Sequence, residues 1–253
     1  MFFGCTNLIV GYDKNLVLTN INLCFEKGQI TAITGLNGSG KTTIVKTLTG
    51  SLKAYDGSVI INDNNLNNLK PKQRAKLISY LPQKHVAPPD INVNTLVSYG
   101  RYPYKEDKDN DEKIIDEVLN TLNISNLKNR TLASLSGGEL QKAWLAMALA
   151  QKPEILILDE PTTFLDIASQ ISLLETLKDL NKKTGLTIIM VLHDLNMACR
   201  YASNIIVLGN NSIMAQGSPI QIMTQHNLQN YFNINATIKI DNNTPYFLPQ
   251  EKL

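Results

Sequence analysis

Residues 35–42, Gly-Leu-Asn-Gly-Ser-Gly-Lys-Thr, fit the pattern G-x-x-x-x-G-K-[ST], and their surroundings fit it as well. The β-branched run Ile30–Thr34 reads as a buried strand directly before them, and Thr42–Leu48 has a helical pattern directly after. A chain that passes from strand to glycine loop to helix needs a sheet with helices packed against it. Gly35, Gly38 and Gly40 permit backbone conformations and close approaches that a side chain would block. The N–H groups along this loop, with Asn37, Ser39 and Thr43 beside the glycines, can then converge on anionic oxygens at the positive end of the following helix. Lys41 is placed to reach the β and γ phosphates of a nucleoside triphosphate, and the Thr42 hydroxyl to ligate Mg²⁺.

Such a metal needs an acidic partner. Glu154-Ile-Leu-Ile-Leu-Asp-Glu160 supplies an apolar strand ending in two carboxylates, and ligands of parallel sheets gather beyond the carboxyl ends of the strands. Asp159 is therefore the expected Mg²⁺ partner, through water. Glu160 is expected to face the γ phosphate and polarise an attacking water. His193 follows another apolar strand, Thr187–Leu192, and reads either as a γ-phosphate contact or as a structural residue at a strand end. His85 and His226 fall outside these patterns and receive no role.

The remaining chain supports an α/β core. Leu77–Leu81, Ile155–Leu158 and Ile205–Leu208 read as further strands, and Glu139–Ala150, Ala168–Asn181 and Leu195–Tyr201 as helices. Their alternation points to a mainly parallel sheet. Earlier, Leu8–Val10, Leu16–Phe25 and Ser58–Ile61 look antiparallel, and the asparagine-rich stretch Asn62–Asn68 reads as a solvated loop. Between Lys84 and Leu135 the strand pattern stops, Pro88-Pro89 breaks the chain, and Val93–Tyr99 and Asp109–Leu122 read as helices. The expected organisation is one domain of 253 residues, with a core from 1–84 and about 136–253 and an inserted helical subdomain at about 85–135.

Composition excludes several classes. With 24 Lys+Arg against 22 Asp+Glu the net charge is +2, which gives no broad footprint for nucleic acid. Cys5, Cys24 and Cys199 are far apart and signal neither a zinc site nor a disulfide framework. No apolar run approaches the roughly 18–20 residues of a membrane span. Met1–Cys5 lacks the pattern of a secretory signal.

Leu135-Ser-Gly-Gly-Glu-Leu-Gln141 narrows the reading further. Ser136, Gly137 and Gly138 open a helix and so make a second helix N-terminus suited to phosphate. Together with the glycine loop, Asp159-Glu160 and His193, in that order along nearly the whole chain, this segment resembles the ATP-binding subunit of ABC (ATP-binding cassette) transporters. The resemblance implies a P-loop cassette and two such subunits, two copies of this chain in the simplest case, stacked head to tail. Each ATP then lies between one glycine loop and the other subunit's Ser136-Gly137-Gly138. It also implies that Tyr12 stacks on adenine, that Gln83 joins core to helical subdomain and approaches Mg²⁺ and water, that His193 acts in catalysis, and that Asp166 contacts the opposite subunit. The chain departs from the family where it has Glu139 in place of the common Gln, and Leu140 and Lys142 at positions that are often arginine.

Asn94–Tyr104, containing Gly100-Arg-Tyr-Pro103, resembles the G-R-x-P stretch of iron-chelate importers, the branch handling siderophores, haem and cobalamin. Leu165–Ala168 and the short tail ending near Pro249 are similar to the same branch. By that resemblance Gln83–Pro103 docks onto a cytoplasmic coupling helix of the permease, although its apolar and aromatic residues could equally be subdomain core. The chain would then work at the cytoplasmic face of the membrane, with permease subunits and, indirectly, a solute-binding protein. An importer of zinc, manganese or another nutrient, and a soluble ABC ATPase of cofactor assembly, remain as alternatives.

Overall fold

The computed structural model describes residues 1–84, 86, 88, 90–104 and 107–252. His85, and Pro89 of the proline break, lie outside the described residues. In chain order the elements are β1 (Phe3–Tyr12), β2 (Asn15–Phe25), β3 (Ile30–Thr34), α1 (Lys41–Leu48), β4 (Asp56–Ile61), β5 (Asn64–Asn65), α2 (Pro71–Leu77), β6 (Ile78–Leu81), α3 (Val93–Ser98) and α4 (Lys108–Thr121). They continue with α5 (Gly137–Ala150), β7 (Ile155–Asp159), α6 (Ile167–Thr184), β8 (Thr187–Val191), α7 (Leu195–Tyr201), β9 (Asn204–Gly209), β10 (Ser212–Gly217), α8 (Pro219–Ile222), α9 (Gln225–Phe232), β11 (Ile234–Asp241) and β12 (Thr244–Lys252). The chain divides into two compact units, one of Met1–Asn68 with Thr187–Leu253 and one of Leu69–Leu186.

In the first unit β3 is flanked by β8 and β9, parallel to both, with Ile30 opposite Ile188 and Thr31 opposite Asn204. β10 adds antiparallel to β9. Every residue of β3 and β8 is buried, as their unbroken apolar pattern requires of strands covered on both faces. β1 lies between β2 and β4, antiparallel to both, and the rings of Phe3 and Phe25 stack 5.5 Å apart. The second unit holds the parallel pair β6–β7, with Ile78 opposite Ile155 and Leu81 opposite Leu158. It also holds α5, whose Ala143–Ala146 and Ala148–Ala150 are all buried.

Several expectations are corrected. The stretch Asn62–Asn68 is not simply a solvated loop. Asn64 and Asn65 pair with Ile61 and Ile60, and Leu66, 1% exposed, pins the turn to the core. One buried leucine among asparagines is enough to order it. Leu77 closes a helix, α2, rather than starting a strand. The cation-rich sequence of α2 has no apolar period, and the helix starts with Pro71 at its first turn while the Gln73 side chain accepts the Lys70 N–H at 2.9 Å. The C-terminal tail is an ordered hairpin, β11–β12, joined to α7 by Asn196, whose Oδ1 accepts the Phe247 N–H at 2.9 Å.

Candidate nucleotide site

The glycine loop sits at the carboxyl end of β3, and its conformation explains its residue types. Gly35 has φ 144° and Gly40 φ 94°, and a Cβ on Gly35 would stand 2.2 Å from the Leu208 carbonyl oxygen. Gly40 is the N-cap of α1 and makes no side-chain cap, so the positive end of that helix faces the loop. Lys41 is 6% exposed. Its Nζ donates to the carbonyls of Gly35 at 2.9 Å and Leu36 at 3.0 Å, which anchors the ammonium inside the loop. Ser39 Oγ is buried with no hydrogen-bond partner, an arrangement expected where a ligand atom completes the shell. Thr42 and Thr43 occupy the first turn of α1, and Thr43 is buried. Asn37 and Gly38 are exposed.

Two other predicted residues belong to this unit. His193 is exposed and follows β8, so it emerges at the same end of the sheet as the loop: the Leu192 N–H donates to the Ile33 carbonyl at 3.1 Å. Asp194, next in sequence, caps α7 by accepting from the N–H groups of Asn196 and Met197. Tyr12, at the end of β1, is 42% exposed, so a ring face is available for stacking.

In the second unit β6 and β7 deliver Gln83 and Asp159-Glu160 to one end of their pair. Asp159 is 2% exposed, and the Tyr80 hydroxyl lies 3.4 Å from its Oδ2. Glu160 has φ 53°. That is an uncommon conformation for a side-chain-bearing residue, and one that concentrates at functional sites. Glu160 Oε2 accepts from Gln83 Nε2 and, at 3.1 Å, from Thr163 Oγ1. Gln83 and Glu160, singled out separately in the sequence, are therefore bonded partners. Tyr80 and Thr163 were missed; both are within a few residues of a predicted site residue, but hydroxyls that frequent have no distinguishing pattern.

Ser136 is the N-cap of α5, so the helix starts at Gly137, two residues before the expected Glu139. Ser136 Oγ accepts the Glu139 N–H at 3.4 Å. Glu139 Oε2 in return accepts from the Ser136 N–H at 2.8 Å and its hydroxyl at 2.9 Å, which makes a capping box. These bonds from Ser136 hold the Glu139 carboxyl below the usual carboxylate range, with Arg130 adding a smaller share. Asp166 likewise caps α6, accepting from the Ser169 N–H at 2.9 Å and its hydroxyl at 2.8 Å.

Among the described residues no group of three or more His, Cys, Asp or Glu could hold a metal ion. The hydroxyl of Thr42, the amide oxygen of Gln83 and the carboxylate of Asp159 are hard oxygen donors. Mg²⁺ takes donors of this kind singly, keeping waters and phosphate oxygens for the rest of its shell. No described helix is long and apolar enough to cross a membrane.

A buried strand, a glycine loop holding a buried lysine, and a helix that starts at that lysine define a P-loop nucleotide-binding protein. The chain belongs to the ABC transporter family, whose model matches residues 18–163. It is 39% identical over 239 residues to the iron(3+)-hydroxamate import ATP-binding protein FhuC of Bacillus subtilis (strain 168), covering 93% of this chain and 89% of that one. It is 39% identical over 248 residues to the ferric enterobactin transport ATP-binding protein FepC of Escherichia coli (strain K12), covering 96% and 92%. Its fold is similar to that of the dimeric, post-hydrolysis ATP-binding cassette MJ0796 bound to ADP and Pi, with TM-score 0.77, 27% identity and coverage of 86% and 98%. The expected fold class stands.

Proposed function

We propose that this chain is the ATP-hydrolysing subunit of an importer for iron chelates, working as a head-to-tail homodimer under permease subunits at the cytoplasmic face of the membrane. The reading rests on the iron-chelate relatives, the dimeric cassette and one observation above the rest. Glu160, in a strained conformation, is held by Gln83 and Thr163 beside the buried Asp159. A carboxylate oriented by two donors suits polarisation of an attacking water.

In this reading the loop from Gly35 through Thr43 grips the phosphates, with Asn37, Gly38, Ser39, Gly40 and Lys41 contributing, and Tyr12 carries the adenine. Ser136, Gly137 and Gly138 grip the γ phosphate bound to the opposite copy, and His193 assists at the same phosphate. Thr42, Asp159 and Gln83 would hold Mg²⁺, which when bound neutralises charge on the β and γ phosphates. The segment at about 85–135 is the subdomain that meets the permease, and a solute-binding protein supplies the chelate from the far side.

Glu160→Gln tests the core of this. The amide keeps an oxygen to accept from Gln83 and Thr163 but cannot take a proton. Hydrolysis should fall about 10²–10⁴-fold, about 2.7–5.5 kcal/mol of barrier, while Mg-ATP drives the variant into stable dimers. Unchanged turnover, or a strictly monomeric ATP-loaded variant, refutes the reading.

A further inference from the structure

The capping box at the start of α5 places a negative charge on the donors meant for a phosphate. Both the N–H and the hydroxyl of Ser136 point at Glu139 Oε2, at 2.8 and 2.9 Å. A γ phosphate approaching Ser136 from the opposite subunit must therefore meet a carboxylate first. Glu139 Oε1 is 3.7 Å from Arg130 Nη1, and both side chains are well hydrated, at 35% and 45% exposure, so that cation offsets the charge only in part. The carboxyl is held below its ordinary range, so it is ionised at neutral pH. A cavity of about 420 Å³ adjoins the cap, lined by Ser136, Gly138, Glu139, Lys142 and Ser169 among others. It gives the Glu139 side chain room to leave and an ammonium to turn towards.

We infer that Glu139 is a positioning residue that gates Ser136: in the ATP-free chain it occupies the serine's two donors, and the signature accepts the opposite subunit's γ phosphate only once Glu139 has swung into the adjoining cavity. The inference rests on the sandwich reading of the dimer and adds its regulation. Gating sets a threshold for closure. Phosphate must displace a bonded carboxylate, so partial or diphosphate-only occupancy leaves the cap shut.

Two substitutions separate charge from capping. Glu139→Gln keeps an oxygen that accepts the Ser136 N–H but removes the charge; Glu139→Ala removes both. Each is placed in the Glu160→Gln background, and Mg-ATP-driven dimerisation is followed by sedimentation velocity across a salt series. Relief of one unit charge at about 4 Å in a water-like medium is worth about fivefold. Two equivalent sites should therefore tighten the Glu139→Gln dimer about 25-fold and flatten its salt dependence. The urea midpoint of the monomer should fall further for Ala than for Gln, because Ala loses the reciprocal half of the capping box while Gln keeps it. A Gln variant that dimerises with the parent's affinity and salt dependence, or more weakly, overturns the gate while leaving the sandwich intact. If the ATP-loaded Glu160→Gln parent itself stays monomeric, the sandwich reading falls and the gate falls with it.

Discussion

Arg101→Ala should destabilise the second unit strongly while touching no predicted nucleotide contact. Arg101 is 7% exposed. Its Nε donates to Asp111 Oδ1 at 2.7 Å and its Nη1 to the Ala150 carbonyl at 2.8 Å, and the guanidinium lies 3.9 Å over the Tyr104 ring. Ala150 is the last residue of α5, so the cation also faces the negative end of that helix. Breaking a buried pair costs about 3–5 kcal/mol because a charge is left behind. Asp111 is 21% exposed, so water reaches it and the lower end applies to the pair. A buried carbonyl left without a donor adds about 1–3 kcal/mol. The alanine relieves the desolvation of the arginine itself, and about 3 kcal/mol is the net expectation. The one tryptophan, Trp144, lies on α5 and is buried, so its fluorescence reports unfolding of this unit. With a urea slope of about 2 kcal/mol/M the midpoint should drop by about 1.5 M. Asp111→Ala and the double variant complete a cycle, with an expected coupling of at least 1 kcal/mol. A midpoint shift under 0.5 M at unchanged slope, or single effects that simply add, would show that the arrangement contributes nothing.

Two further outcomes follow from the site. Lys41→Ala removes the cation held between the Gly35 and Leu36 carbonyls; at about 1.5–3 kcal/mol for a charged hydrogen bond, ATP affinity should fall roughly 10- to 150-fold in equilibrium binding, and wild-type affinity and turnover would remove the loop from the site. Ser136→Arg puts a bulky cation on the exposed cap of α5 and should abolish turnover while leaving nucleotide binding by the monomer near wild type; parallel loss of both would place the signature on its own chain's nucleotide.

What could be read in the sequence depended on whether chemistry or packing chose the residue. At Gly35 and Gly40 the backbone itself demands glycine, so the loop was visible as a string of letters. β3, β7 and β8 were equally plain, since strands covered on both faces admit almost nothing but apolar residues. The elements that escaped have no such demand. α2 is held by a proline and a glutamine cap rather than by an apolar stripe, and the β11–β12 hairpin buries little beyond Ala236 and Pro245. The bond between Gln83 and Glu160 joins positions 77 residues apart, and nothing local announces it.

The Tyr99–Tyr102 stretch carries the same point into function, because its four residues do opposite jobs. A Cβ on Gly100 would lie 2.2 Å from the Met147 carbonyl, and Arg101 is buried in its lock on α5 and α4. These two residues hold the segment to the signature helix and cannot meet a partner. Tyr99 and Tyr102, 53% and 75% exposed, face outward instead, and Lys72 lies 5.0 Å over the Tyr102 ring. In the proposed docking onto a permease, contact would therefore run through the tyrosines and that lysine. Arg101 ties the segment to the carboxyl end of the helix whose other end is capped by Ser136, so displacing the segment would strain its bond to the Ala150 carbonyl.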